Sequence, residues 1–264
     1  IEHWTHFYTD YGVDLQKRFF GHFLKGEDTG WADNQPKVQL QIRHPDEKFV
    51  ERHESEWPLA RTEWTKFYIH PEQLSLSTKV QLTDLNTTYG GFCDGVTFLS
   101  EPLAEDMEIT GPIASKLWVS SATEDADLFL VVRAFAPDMK ELTFQGALDP
   151  HTPLAQGWLR CSHRKLNPEL TLPYRPYHTH DEERKLTPGE VVECDVEVWD
   201  TCIVVPAGHR IALTVRGKDY EYPGGASGGL SNMKNAFTGC GCFLHNDPRD
   251  RPADVFGKNV TLHT

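Results

Sequence analysis

The run VVECDVEVW at residues 191–199 alternates apolar and acidic side chains, with Val192, Cys194, Val196 and Val198 on one side and Glu193, Asp195 and Glu197 on the other. A repeat of two residues is the period of an extended strand, and this strand has one face in a core and one in water. Sixty residues upstream, Leu128 to Val132 is apolar at every position, which predicts a strand covered on both faces. Val38, Leu40 and Ile42 alternate with Gln39, Gln41 and Arg43, and similar runs lie at Trp64 to Ile69, Leu117 to Ser121, Leu128 to Phe135, Leu142 to Gln145, Trp158 to Arg164 and Arg210 to Arg216. Helical patterns do not alternate with them, so the expectation is two packed antiparallel sheets, a mostly β sandwich.

Gly111-Pro112, Pro188-Gly189, Pro206-Ala207-Gly208 and Pro223-Gly224-Gly225 read as turns between these runs. Three polar connections, 86–95, 165–187 and 218–232, exceed the usual loop length, and such loops often carry function or meet another domain. One helix stands apart at the start. From Asp10 to Lys25, Leu15, Phe19 and Phe23 recur every four positions, flanked by Val13, Phe20 and Leu24, with Gln16, Lys17 and Arg18 opposite. Thr9 or Asp10 is placed to cap its start, and Gly26 to end it.

Composition narrows the partners. The chain has 264 residues, 39% of them hydrophobic, with 14 Phe, 8 Tyr and 7 Trp, enough to build a sizeable core. A net charge of −13 repels phosphate backbones and anionic lipid, so neither nucleic acid nor a membrane is an expected partner. No stretch of about 18 apolar residues is present, and IEHWTHFYTD lacks the basic and apolar regions of a signal peptide. Six cysteines, at 93, 161, 194, 202, 240 and 242, read as mostly free thiols of a cytoplasmic protein.

Five stretches together resemble the C-terminal region of the cocaine esterase and X-Pro dipeptidyl-peptidase (CocE/NonD) serine hydrolase family. They are LQKRFFGHFLKGEDTGW (15–31), EWPLARTEWTKFYI (56–69), ITGPIASKLWVSSATEDADLFLVV (109–132), GWLRCSHR (157–164) and LTPGEVVECDVEVWDTCIVVPAGHRIALTV (186–215). The resemblance implies a galactose-binding-like jelly roll over residues 37–264, preceded by a helical junction segment, 1–36, left from an α/β-hydrolase domain. It also implies that the Ser-Asp-His triad lies upstream, and that relatives continue past NVTLHT into another strand. The expected partner is therefore that α/β-hydrolase domain of the same parent protein, with a homo-oligomer also open.

Candidate site residues follow from both routes. His3 and His6, beside Trp4, are candidates for the catalytic base because they lie in the segment that follows the third triad member in the family, although the resemblance places that His at or before residue 1. The structural alternative is aromatic and polar packing against the α/β domain. Gly225-Ala226-Ser227-Gly228-Gly229 is a literal G-x-S-x-G, the nucleophile-elbow pattern. The elbow needs a buried strand before the serine, and KDYEYPGG is turn material, so Ser227 is read as a loop residue. His178, His180 and Asp181 invite a metal reading, as do Cys240, Cys242 and His245 and the carboxylates Glu124, Asp125 and Asp127. None has the spacing of a common site, so no metal and no cofactor is expected. Arg249, Asp250 and Arg251 form a charged knot suited to pairing with carboxylates at a domain boundary.

The function implied is that of a sandwich that shapes the cleft of a parent enzyme hydrolysing esters, amides or X-Pro peptide bonds, without catalysing alone. The alternative is a stand-alone jelly roll binding carbohydrate or another ligand, with Trp31, Trp57, Trp64 and Trp158 stacking on sugar rings.

Overall fold

The computed structural model describes residues 7–146, 149–225, 227–228, 236–241 and 244–264, with only the backbone at 227 and 228. Among these residues two six-stranded sheets pack face to face. The first has the order β2 (Lys48–Glu54), β1 (Val38–His44), β10 (Val192–Val205), β7 (Met107–Ser121), β14 (Asn259–His263), β5 (Asn86–Gly90). The second runs β3 (Tyr68–His70), β4 (Ser75–Ser77), β6 (Val96–Leu99), β11 (Arg210–Arg216), β8 (Asp127–Phe135), β9 (Ala155–Arg160). A two-stranded ladder joins β12 (Ser227–Gly228) to β13 (Ala236–Phe237).

The alternation of β10 is realised as predicted, with Cys194, Val196 and Val198 inside. Ile203 and Val205 continue the inward set, and Val119, Leu128, Leu130, Val215 and Leu262 meet them from neighbouring and facing strands. The sheets are mixed rather than wholly antiparallel: β1 runs parallel to β10, and β4 parallel to β6. Parallel neighbours require long crossovers, supplied by residues 45–191 between β1 and β10 and by residues 78–95 between β4 and β6. Alternation reports which face is wet and carries no information on the direction of the neighbour.

Gly111-Pro112, expected as a turn, lies inside the 15-residue β7. Its partner β10 carries one extra residue between Val198 and Thr201, a bulge that leaves Trp199 and Asp200 outside. Proline has no N–H for a ladder and is tolerated at such a bulge, while Gly111 adopts a φ of 139°. The strands expected at 64–69 and 142–145 shrink to β3 and to a single bridge, Phe144 to Thr152. Conversely, β5 forms inside the polar stretch 86–95, where only Tyr89 is buried.

Helix α1 (Asp10–Lys25) has the predicted bounds. Thr9 Oγ1 accepts the Gly12 N–H at 3.2 Å, and Gly26 closes the helix at φ 68°, with the Glu27 N–H donating back to Gly21 O. The short α2 (Trp31–Asn34) sets Trp31 against Phe19 and Phe23, with ring centroids at 5.2 and 6.2 Å. The apolar stripe is otherwise open: Phe20, Phe23 and Leu24 are exposed. No described helix is long and apolar enough to cross a membrane.

Candidate functional site

The outer face of the second sheet carries the densest constellation of charged and aromatic side chains. Strand β8 turns Leu128 and Leu130 inward, so its odd positions, Asp127, Phe129 and Val131, point out. Phe129 and Val131 are nonetheless buried, which confirms the expectation that this strand is covered on both sides. The cover comes from the chain after β11 and from residues 245–251. A short helix, α3 (Ala253–Phe256), follows them.

Arg251 is the centre of this cover. It is 5% exposed, and its Nε donates to Asp127 Oδ2 at 2.8 Å, Nη1 to His245 O at 2.6 Å and Nη2 to Gly217 O at 2.7 Å. Its guanidinium carbon lies 4.9 Å from the Phe92 ring centroid and 4.8 Å from that of Phe129. Asp127 also receives two bonds from Arg160, which forks on to Asp250. The Arg160 pair holds the Asp250 carboxyl below its ordinary range. Within this chain Arg251 and Asp250 of the knot find partners in Asp127 and Arg160, while Arg249 pairs with Asp247 at the surface.

Beside it, Asp219 and His245 form a dyad. Asp219 Oδ2 accepts the His245 N–H at 2.6 Å, and Oδ1 lies 2.9 Å from His245 Nδ1. The bond from Asp219 raises the His245 pKa, against burial. Burial works against ionisation of Asp219, but the side-chain and backbone bonds from His245 prevail and its carboxyl is held low. The ring rests edge-on to Phe129 at 5.6 Å and 6.1 Å from Trp158, which meets Trp199 at 5.0 Å. A carboxylate that orients an imidazole is the positioning half of an acid–base apparatus; alone it fixes a tautomer and a ring plane. Asp219, in the turn-rich KDYEY, carries no signal in sequence because its partner lies 26 residues away.

The other predicted groups are dispersed. His178 Nε2 bonds Asp195 O, and His180 Nδ1 faces His163 Nδ1 at 3.1 Å. Asp181 accepts from Thr179 and Lys165, bonds that hold its carboxyl low. Burial pushes the His178 pKa down. Cys240 is buried beside Thr238, and His245 faces Asp219. Asp125 accepts the Ala126 and Ser162 N–H groups, Asp127 pairs with arginines, and Lys185 stands between Glu124 and Asp125. No group of three or more metal-ligating side chains that could hold an ion occurs among the described residues. Ser227 pairs by its backbone with Phe237; its side chain, His3, His6 and Cys242 lie outside the described residues.

The tryptophans divide between packing and display. Trp31 covers α1, Trp57 donates its Nε1–H to Asp200 at 2.8 Å, and Trp64 lies flat on Tyr174 at 4.6 Å.

Comparison with known proteins places this architecture. The model of the X-Pro dipeptidyl-peptidase C-terminal non-catalytic domain matches residues 29–238. Cocaine esterase of Rhodococcus sp. is 25% identical over 246 residues, 78% of this chain and 38% of its own length. A putative serine esterase of Mycobacterium bovis is 26% identical over 132 residues, 48% of this chain and 19% of that protein. The crystal structure of a CocE/NonD family hydrolase from Staphylococcus aureus superposes with a TM-score of 0.81 at 25% identity, covering 99% of this chain and 45% of that one. An aminopeptidase from a marine sediment archaeon, Thaumarchaeota archaeon, shares the fold at a TM-score of 0.61 and 14% identity, over 96% of this chain and 42% of that one. The chain spans less than half the length of these relatives.

Proposed function

We propose, from the premise that this chain belongs to the X-Pro dipeptidyl-peptidase C-terminal non-catalytic domain family, that it is the jelly-roll part of a serine hydrolase whose nucleophile lies in an accompanying α/β domain. Residues 37–264 brace that domain and wall its cleft, and residues 1–36 are the junction. The parent reaction on this reading is acyl transfer to a serine and then to water, at an ester, amide or X-Pro peptide bond.

The observation that carries it is the open stripe of α1. Phe20, Phe23 and Leu24 expose 48, 58 and 76% of their surface beside Phe19 and Trp31. An apolar face of this kind on a capped, well-formed helix is what a domain contact requires. The free thiols of Cys93, Cys161, Cys194, Cys202 and Cys240 support a cytoplasmic setting.

Fluorophosphonate labelling tests the assignment. The full-length protein is expected to label at a serine upstream of residue 1, and the 264-residue chain alone to stay unlabelled. Labelling of the isolated chain at Ser227 sinks the proposal. The ligand-binding alternative is favoured only by the exposed Trp64–Tyr174 stack, and retention of the isolated chain on polysaccharide columns is its test.

A further inference from the structure

Two thiols face each other across the sandwich. Cys194 lies on β10 of the first sheet, held opposite Leu117 of β7, and Cys161 opens the 3-10 turn Cys161–His163 at the end of β9 in the second. Their sulfurs are 3.8 Å apart, and both residues are fully buried.

The backbone on each side is anchored independently of the sulfurs. The Cys161 N–H donates to Ala126 O at 2.8 Å, and the next residue, Ser162, donates its N–H to the buried Asp125 at 2.9 Å. The arrangement is therefore built by the two sheets and does not depend on a crosslink. A disulfide needs its sulfurs at about 2.05 Å, so about 1.8 Å must be closed by side-chain rotation.

We propose that Cys161 and Cys194 are a poised dithiol that closes an inter-sheet disulfide when the protein meets a small peroxide. One thiol attacks the peroxide O–O bond, giving a sulfenic acid and, from hydrogen peroxide, one water. The second thiol displaces hydroxide from that sulfur, and the proton it loses completes a second water. Two thiols are oxidised by two electrons and one peroxide is reduced. The hydrogen bond it shares with the Cys194 sulfur, and burial, keep the Cys161 thiol protonated, so the reaction waits on opening of the turn at 161–164 and is slow. The product joins residues 33 apart in sequence and staples faces otherwise held by side-chain packing.

The test uses the full-length protein carrying this chain. It is incubated with hydrogen peroxide at about ten degrees below its thermal midpoint, quenched with catalase, alkylated in denaturant and mapped without reduction. Exposed Cys93 reports that the dose sufficed. The expected result is a linked peptide containing Cys161 and Cys194, a mass loss of two hydrogens, and a rise in the thermal midpoint of about 5–10 °C. Cys161→Ala abolishes the linked peptide; if that variant does not fold, the wild-type map decides alone. Both thiols recovered free after Cys93 has reacted overturns the proposal, as does a link from either to another cysteine. A link that leaves the midpoint unchanged or lower overturns the fit to the native sandwich.

Discussion

Arg251 and Asp127 meet at 2.8 Å although they are 124 residues apart in sequence, and the contact clamps the last loop of the chain onto the outer face of the second sheet. Both side chains are at most 9% exposed. Removing the arginine leaves a buried carboxylate with Arg160 as its remaining partner and leaves Phe129 covered on that side by the His245 ring.

Arg251→Met is therefore expected to destabilise the sandwich by about 3 kcal/mol, the low end for breaking a buried pair because Arg160 persists. Arg251→Lys rescues little, since one ammonium cannot serve Asp127, His245 O and Gly217 O in the geometry of the fork. Urea unfolding of both variants checks this, and a shift below about 0.5 kcal/mol for the Met variant would contradict the clamp.

The Asp219–His245 dyad predicts a pH dependence. A raised folded-state pKa at His245 means a contribution fully present below the ordinary histidine value of 6.5 and lost as pH rises through the folded value. Asp219, held low, contributes above 3.8, and its share is lost as pH falls through the folded value. Arg251 opposes protonation of the imidazole and Asp127 favours it. The pair thus contributes most between about pH 4 and 6.5. His245→Asn should flatten the fall in the urea midpoint between pH 6 and 8.5, and a wild-type-like slope in that variant would assign the fall elsewhere.

Gly157 lies where β9 passes close to β10, and a methyl group there would meet Glu197 O and the Cα of Val198. Both are backbone or anchored atoms that cannot step aside. Gly157→Ala is expected to cost about 2–3 kcal/mol through strand displacement. Equilibrium unfolding measures it, and a neutral result would mean that the two sheets separate more easily than their packing indicates.

Phe20 and Phe23 face outward on α1. Replacing both by Ser should lower the unfolding free energy of the isolated sandwich by only about 1 kcal/mol, for the lost contacts with Phe19 and Trp31. In the full-length protein the same double variant should lower the thermal midpoint and the rate of fluorophosphonate labelling. Equal behaviour in both contexts would remove the helix from the domain contact.

Much of this was legible because it depends on neighbours close in sequence. The period of two in 191–199 and the period near four in 10–25 are local, and the strand and the helix appear at those places. The solid apolar run at 128–132 announced a doubly covered strand, but not that the second cover is an arginine and a histidine from residues 245–251. Strands such as β2, exposed at most positions, and β5 carry little pattern of their own and exist because β1 and β14 hydrogen-bond to them. Pro112 misled for the opposite reason: its local preference for a turn was overridden by the bulge in β10.

By itself, then, the sequence determined the mostly β class, the single long helix with its caps, the inward set of β10 and the likeness to the CocE/NonD C-terminal region. Periodicity, capping and turn chemistry act within a few residues and need no knowledge of the partner. Only the tertiary structure decided the mixed strand directions, the pairing of Asp127 with Arg251 and of Asp219 with His245, and the meeting of Cys161 with Cys194. Each joins residues 26 or more apart, and the order in which strands stack, rather than any local preference, brings them within reach.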